Sequence, residues 1–141
     1  MIREATEADF ATLVSKGCEL VANELQLKPD RKGISTVVRT AMSSKAHKIF
    51  VTDACDGVLI IVSDSFPYAE KMFGQIICFF GATDEIRTEL LKTAMAWVDT
   101  RKGIQIVSYS MPIKTSVDNV LLDNNFESSG SMLVWRRYGI L

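Results

Sequence analysis

The sequence predicts a single α/β domain spanning residues 1–141, and three observations carry that expectation. Ile86, Leu90, Ala94, Trp97 and Val98 recur at helical spacing behind a capping Thr83 or Asp84, and Gly103 supplies a stop. The runs 58–62 and 76–80 are short, apolar and rich in β-branched and aromatic residues, as strands are. No internal repeat, low-complexity tract or Pro/Gly/Ser-rich linker divides the chain, so its segments are expected to share one core.

Taken in order, Ile2 and Arg3 suggest a short first strand, and Thr6 is placed to cap a helix with Glu7 and Asp9 in its first turn. Phe10, Leu13, Val14, Gly17, Val21 and Leu25 continue at helical spacing, and Pro29 ends that region. A second helix is expected over 34–46, with Ile34, Val37, Val38, Ala41 and Met42 on one stripe. "KIFVTDA" and "VLIIVSDS" read as strands joined by an Asp56-Gly57 hairpin turn. Pro67 makes 66–71 a loop. "QIICFFGA" is apolar on both faces, as a central strand covered on both sides should be. After the helix that carries Trp97, with Arg101 and Lys102 at its C-terminal end, come a strand "IQIVSYSM" and a short helix over 116–124. Asn125 takes the left-handed turn. A turn at Gly130 and a last strand, "SMLVWRR", close the order β-α-α-β-β-β-α-β-α-β.

Composition excludes several functions. Sixteen Lys and Arg against 17 Asp and Glu give a formal net charge of -1, so extensive nucleic-acid binding is not expected. The apolar runs are too short to span a bilayer, and the N-terminus has no apolar signal core, so a soluble intracellular protein is expected. Cys18, Cys55 and Cys78 are widely spaced, and there is one histidine, so no metal site is expected and the thiols read as free and buried or half-buried.

With that order in hand, three stretches carry a resemblance to the GCN5-related N-acetyltransferase (GNAT) superfamily. "MIREATEADF" resembles its opening strand and helix entry. "IICFFGATDEIRTELLKTAMAWVDTRKGIQIVSYS" resembles its central strand, cofactor helix and next strand, and "VDNVLLDNNFESSGSMLVWRR" its closing helix and final strand. "VLIIVSDSFPYAEKMFGQIICFF" is most similar to phage-encoded members. The resemblance implies the acyl-CoA N-acyltransferase fold, a mixed central sheet with helices on both faces. It also implies acetyl-CoA as cofactor, bound where the central strand ends in a bulge and a Gly-rich loop wraps the pyrophosphate.

That loop departs from the pattern here. Glu85 and Arg87 fall where small residues belong, and the connection is short. Phe80, Gly81, Ala82, Thr83 and Arg87 are the candidate cofactor contacts. Asp84 and Glu85 are expected to take the place of the phosphates, their carboxylates accepting from the helix N–H groups. Many relatives place a catalytic tyrosine where Leu121 stands, so the candidate catalytic residues here are Glu70, Tyr109 and Ser110; His47 reads as a surface residue ending a helical turn. The leading expectation is a non-catalytic binding or assembly role with a degenerate cofactor site, as in a phage virion or head, located in host cytoplasm or virion. The alternative is an acetyl-CoA-dependent N-acetyltransferase acting on an amine of a small molecule or protein. The aromatic loop 66–73 (Phe66, Tyr68, Met72, Phe73) and the C-terminal strand with Trp135, Arg136, Arg137 and Tyr138 are candidate contact surfaces for a protein partner or a second copy.

Overall fold

The computed structural model describes residues 1–23, 25–65, 71–110, 118–129 and 132–137. Its strands are β1 (Ile2–Glu4), β2 (His47–Thr52), β3 (Gly57–Ser65), β4 (Met72–Gly81), β5 (Ile104–Ser110), β6 (Glu127–Ser129) and β7 (Met132–Arg136). Its helices are α1 (Phe10–Asn23), α2 (Arg31–Ser43), α3 (Asp84–Thr100) and α4 (Asn119–Leu122), with a 3-10 turn, Glu7–Asp9, before α1. The strands form one sheet in the order β1-β2-β3-β4-β5-β7-β6. Every pairing is antiparallel except β4 with β5, which α3 joins as a crossover.

Two apolar clusters flank this sheet. On one side α3 and α4 bring Leu90, Leu91, Ala94, Val98 and Leu121 against Leu59, Ile61 and Ile76, all essentially without solvent exposure. On the other, Leu13 and Val14 of α1 and Val38 and Ala41 of α2 cover Ile49, Val51, Val58 and Ile60. Alternate residues of β2 and β3 feed opposite clusters, as the two-residue period of a strand requires. Each fully buried Leu or Ile contributes about 1.5–3 kcal/mol.

The N-terminal turn is fastened by charge. Arg3 donates to both oxygens of Asp9, at 2.8 and 2.9 Å, and the Thr6 N–H donates to Asp9 at 2.7 Å. The Arg3 guanidinium therefore holds the buried Asp9 carboxyl well below the usual carboxylate range.

Several local expectations are corrected. The second helix ends at Ser43 because Ser44 turns to extended backbone and its hydroxyl accepts from Ala46 N–H at 3.1 Å. His47 thus opens β2, half-buried, with Nδ1 buried and unpartnered among the described residues. The hairpin is not a two-residue Asp-Gly turn: residues 53–56 connect β2 to β3, and Cys55 takes the positive φ of 56°. Gly57 already lies in β3, where a Cβ would stand 2.5 Å from Ile86 Cγ2, so its smallness admits α3. Gly103 does not adopt the left-handed conformation. The Val98 carbonyl near the C-terminal end of α3 accepts instead from Arg101 N–H at 2.9 Å and from the Arg137 side chain at 3.2 Å. Trp97 is half-buried, packed against the edge of the core under α3 with Arg101 over its ring, while Leu91 is fully buried within it.

Met72 and Phe73 belong to β4, not to a loop, while Phe66, Tyr68 and Glu70 lie outside the described residues. The closing helix is confined to Asn119–Leu122 among the described residues, residues 116 and 117 lying outside them. Asn125 takes the left-handed turn as expected, at φ 70°. β6 is an addition to the expected order, and the expected turn at Gly130 lies outside the described residues. Arg137 is a staple rather than an open contact residue: it donates to the Ile104 and Val98 carbonyls and pairs with Asp99 at 3.4 Å.

Candidate functional site

The site begins where two strands part. β4 and β5 pair in parallel from Met72↔Ile104 to Ile76↔Tyr109, and β4 then continues to Gly81 without that neighbour. The departure coincides with a bulge. Opposite β3, the partner of Ile61 is Ile76 but the partner of Ile60 is Cys78, which leaves Ile77 as the extra residue. A bulge bends the strand and raises its local twist, and so turns the end of β4 away from β5. Between them opens a cavity of about 950 Å³. Ile77, Cys78 and Phe80 form its β4 wall, and Tyr109 and Ser110 stand at the end of β5. Leu27, after α1, and Val37, on α2, form an apolar wall on the other side and are solvent-exposed.

At the mouth, only residues 82 and 83 separate β4 from α3. Thr83 is the cap, its hydroxyl accepting from Ile86 N–H at 3.2 Å. The Ala82 N–H donates to the Asp56 carbonyl at 2.9 Å and is not free for a ligand. The Asp84 and Glu85 side chains are exposed, and neither accepts from a helix N–H among the described residues. The expectation that they replace a ligand's phosphates is therefore corrected: Thr83 does the capping, and the two carboxylates extend into water where their charge is best solvated. Among the described residues nothing accepts from the N–H groups of Asp84 and Glu85, so the start of α3 keeps two donors.

Arg87 is held from three directions. Gly81 lets it fold back, since a Cβ there would stand 2.5 Å from Arg87 Cγ. Its guanidinium lies 4.4 Å above the Phe79 ring. It donates to Asp118, and its other terminal nitrogen lies 3.9 Å from Asp84. Asp118 in turn caps α4, with Oδ1 accepting from Leu121 N–H at 3.4 Å. Arg87, expected as a cofactor contact, is thus engaged by a carboxylate of this chain. Asp118 was not singled out from sequence. Its signal was its place one residue before "NVLL", as a helix cap.

The catalytic candidates separate. Tyr109 is buried with its ring edge-on to Phe79, centroids 6.0 Å apart, and its hydroxyl has no hydrogen-bond partner among the described residues. Burial raises its pKa, and the negative charge of Asp118 raises it further. The phenol is protonated at neutral pH and is available to donate. Ser110 is exposed beside it on the cavity wall. Glu70 lies outside the described residues. Leu121 is fully buried, so that position supplies no hydroxyl. Burial pushes the Cys78 thiol up to about 11, which leaves almost no thiolate nucleophile on this wall. Among the described residues no group of His, Cys, Asp and Glu could hold a metal ion, and no helix is long and apolar enough to cross a membrane.

No family model and no curated protein matches the sequence. Solved structures match its fold. A GNAT-family acetyltransferase from Streptococcus pneumoniae superposes with a TM-score of 0.70 at 14% identity, covering 97% of this chain and 99% of that one. One from Staphylococcus aureus Mu50 gives 0.72 at 12% identity, over 96% and 98%. A ribosomal-protein-alanine N-acetyltransferase from Brucella melitensis gives 0.68 at 15% identity, over 95% and 96%. With the bulged fourth strand, the parallel crossover and the parted β4–β5 pair, these superpositions establish that the chain has the fold of the GNAT acetyltransferases.

Proposed function

We propose that the protein is an acyl-CoA-dependent N-acyltransferase, with acetyl-CoA as the expected donor and an amine of a small molecule or protein as the acceptor. One observation carries this reading: the edge of β4 freed beyond Ile76 leads directly into the 950 Å³ cavity. When bound, acyl-CoA supplies an acyl group already activated as a thioester.

The chain's own groups fit such a ligand. The backbone of residues 77–80 offers hydrogen-bonding groups on the side that β5 has left, which suits an extended amide-bearing arm. The two unbonded N–H groups at the start of α3, with the positive end of the helix dipole, suit phosphate. The apolar side chains of Ile77 and Phe80, open to solvent here, would be covered by such an arm. Tyr109, a cavity-lining phenol that stays protonated at neutral pH, would donate its proton to the leaving thiolate.

The order of the two readings made from sequence is thereby reversed. The binding or assembly role retains one supporting observation, the two-residue junction between β4 and α3, which lacks the Gly-rich loop that the resemblance implies.

Titration calorimetry with acetyl-CoA, and release of free thiol in the presence of primary amines, test the proposal together. Micromolar binding with amine-dependent thiol release is expected. Tyr109→Phe should lower turnover by about 10²-fold or more with little change in donor affinity. Donor binding without turnover on any amine would favour the binding role, and no binding at millimolar acetyl-CoA would overturn the acyl-CoA reading altogether.

A further inference from the structure

We propose that Asp118 is an internal stand-in for a ligand phosphate, holding Arg87 across the mouth of the cleft until an incoming phosphate replaces it. The inference rests on the acyl-CoA reading for its natural ligand, but the exchange itself requires only a phosphate anion.

Four observations point to it. First, both residues of the pair border the cavity, Arg87 in the first turn of α3 after β4 and Asp118 ahead of α4 after β5. Second, both are largely buried, at 19% and 10% side-chain exposure, so a charge that replaces Asp118 acts on Arg87 with little screening by water. Third, the guanidinium keeps donors in reserve. Nη2 faces Asp118, Nη1 has only the distant Asp84, and Nε has no acceptor among the described residues. Its guanidinium rests over the Phe79 ring, which restrains the side chain while leaving those donors open to a phosphate. Fourth, the unbonded N–H groups of Asp84 and Glu85 lie in that same first turn of α3.

The exchange needs little rearrangement. Asp118 uses Oδ2 for Arg87 and Oδ1 for the cap of α4. Losing Arg87 leaves the cap intact. A pyrophosphate carries at least two negative charges against the carboxylate's one and offers terminal oxygens on both phosphorus atoms, so one group can face Arg87 while the other faces the helix donors. Asp118 then sets the threshold a ligand must exceed: ligands without a phosphate meet an occupied Arg87.

The test uses inorganic pyrophosphate and coenzyme A, titrated calorimetrically into the wild type, Asp118→Asn, Arg87→Gln and the double variant. Asparagine retains the cap, so Asp118→Asn is expected to fold. It should bind pyrophosphate about tenfold more tightly than the wild type, and Arg87→Gln about tenfold more weakly, as expected for one charge-assisted contact. The double variant should match Arg87→Gln, because without Arg87 there is nothing for Asp118 to withhold. A gain from Asp118→Asn that persists in the Arg87→Gln background would assign the effect to general charge removal and overturn the exchange. Unchanged or weaker binding by Asp118→Asn would overturn it too. Coenzyme A bound equally by the wild type and Asp118→Asn sinks the exchange and leaves the acyl-CoA reading standing. The expected pyrophosphate pattern with no coenzyme A binding does the reverse. Binding of neither ligand by any form removes both.

Discussion

β3 and β4 lie side by side, paired from Gly57↔Gly81 to Ser65↔Met72, and each carries a run of large apolar residues. In β3, Val58, Leu59, Ile60 and Ile61 are all buried. In β4, Ile76 is buried, but Ile77 is 41% exposed and Phe80 half-buried. Composition does not separate the two strands; their outer neighbours do. β3 has β2 beyond it as far as the Val62 pairing with His47, whereas β4 loses β5 after Ile76. Beyond Ile76, Phe79 still fills the core under α3, while Ile77 and Phe80 line a cavity instead. The same residue types thus supply stability on one strand and a candidate binding wall on the next.

Substitutions on the two strands should therefore differ in kind. The largest effect is expected from Leu59→Ala, which empties a fully buried position and should cost about 2–5 kcal/mol in urea unfolding. A loss under about 1 kcal/mol would break the contrast from the β3 side. Gly57→Ala should cost about 1–3 kcal/mol, because the new methyl meets Ile86 and must push α3 outward. A neutral result would mean that α3 slides over β3 freely. Ile77→Ala should change stability by only about 0.5 kcal/mol, as exposed positions do, yet weaken acyl-CoA binding measurably. The opposite outcome, a large loss of stability with binding intact, would make β4 a core strand like β3.

A further contrast concerns pH and is felt only in alkaline solution. The folded Cys78 thiol titrates near 11, above the roughly 8.5 of an unfolded chain. Because the folded pKa is raised, the protonated form favours folding. That stabilisation is fully present below pH of about 8.5 and is lost as pH rises through about 11. Cys78→Ser should flatten this part of the alkaline stability curve, and iodoacetamide should label Cys78 slowly at pH 8 although it borders the cavity.

What was legible in the sequence follows the range of each interaction. The α3 stripe, the α/β order and the left-handed Asn125 depend on neighbours in sequence and were readable. So was the apolar excess of "IICFFG", though it was read as two-sided burial. Its partial exposure depends on where β5 diverges, and no local pattern records that. Gly57 read as a turn residue and Gly81 as a cofactor contact; both are points of close approach, to Ile86 and Arg87. At the candidate site, the acids at 84 and 85 drew attention because they are adjacent in sequence, while the carboxylate that engages Arg87 is Asp118. That contact crosses 31 positions and forms only when α3 and α4 meet over the sheet.

Arg137 has a consequence for the order in which the chain is made. Its side chain reaches back 39 positions to the Val98 carbonyl and 33 to Ile104, closing the C-terminal end of α3 and the start of β5. During synthesis, α3 and the first five strands leave the ribosome before the residue that fastens them. For roughly two to eight seconds, at 5–20 residues per second, the end of α3 is without its staple. In that interval β5 also lacks β7 along one edge. A nascent chain halted just short of Arg137 should therefore be cut by protease near the α3–β5 junction, and one halted beyond it, with Arg137 clear of the exit tunnel, should resist.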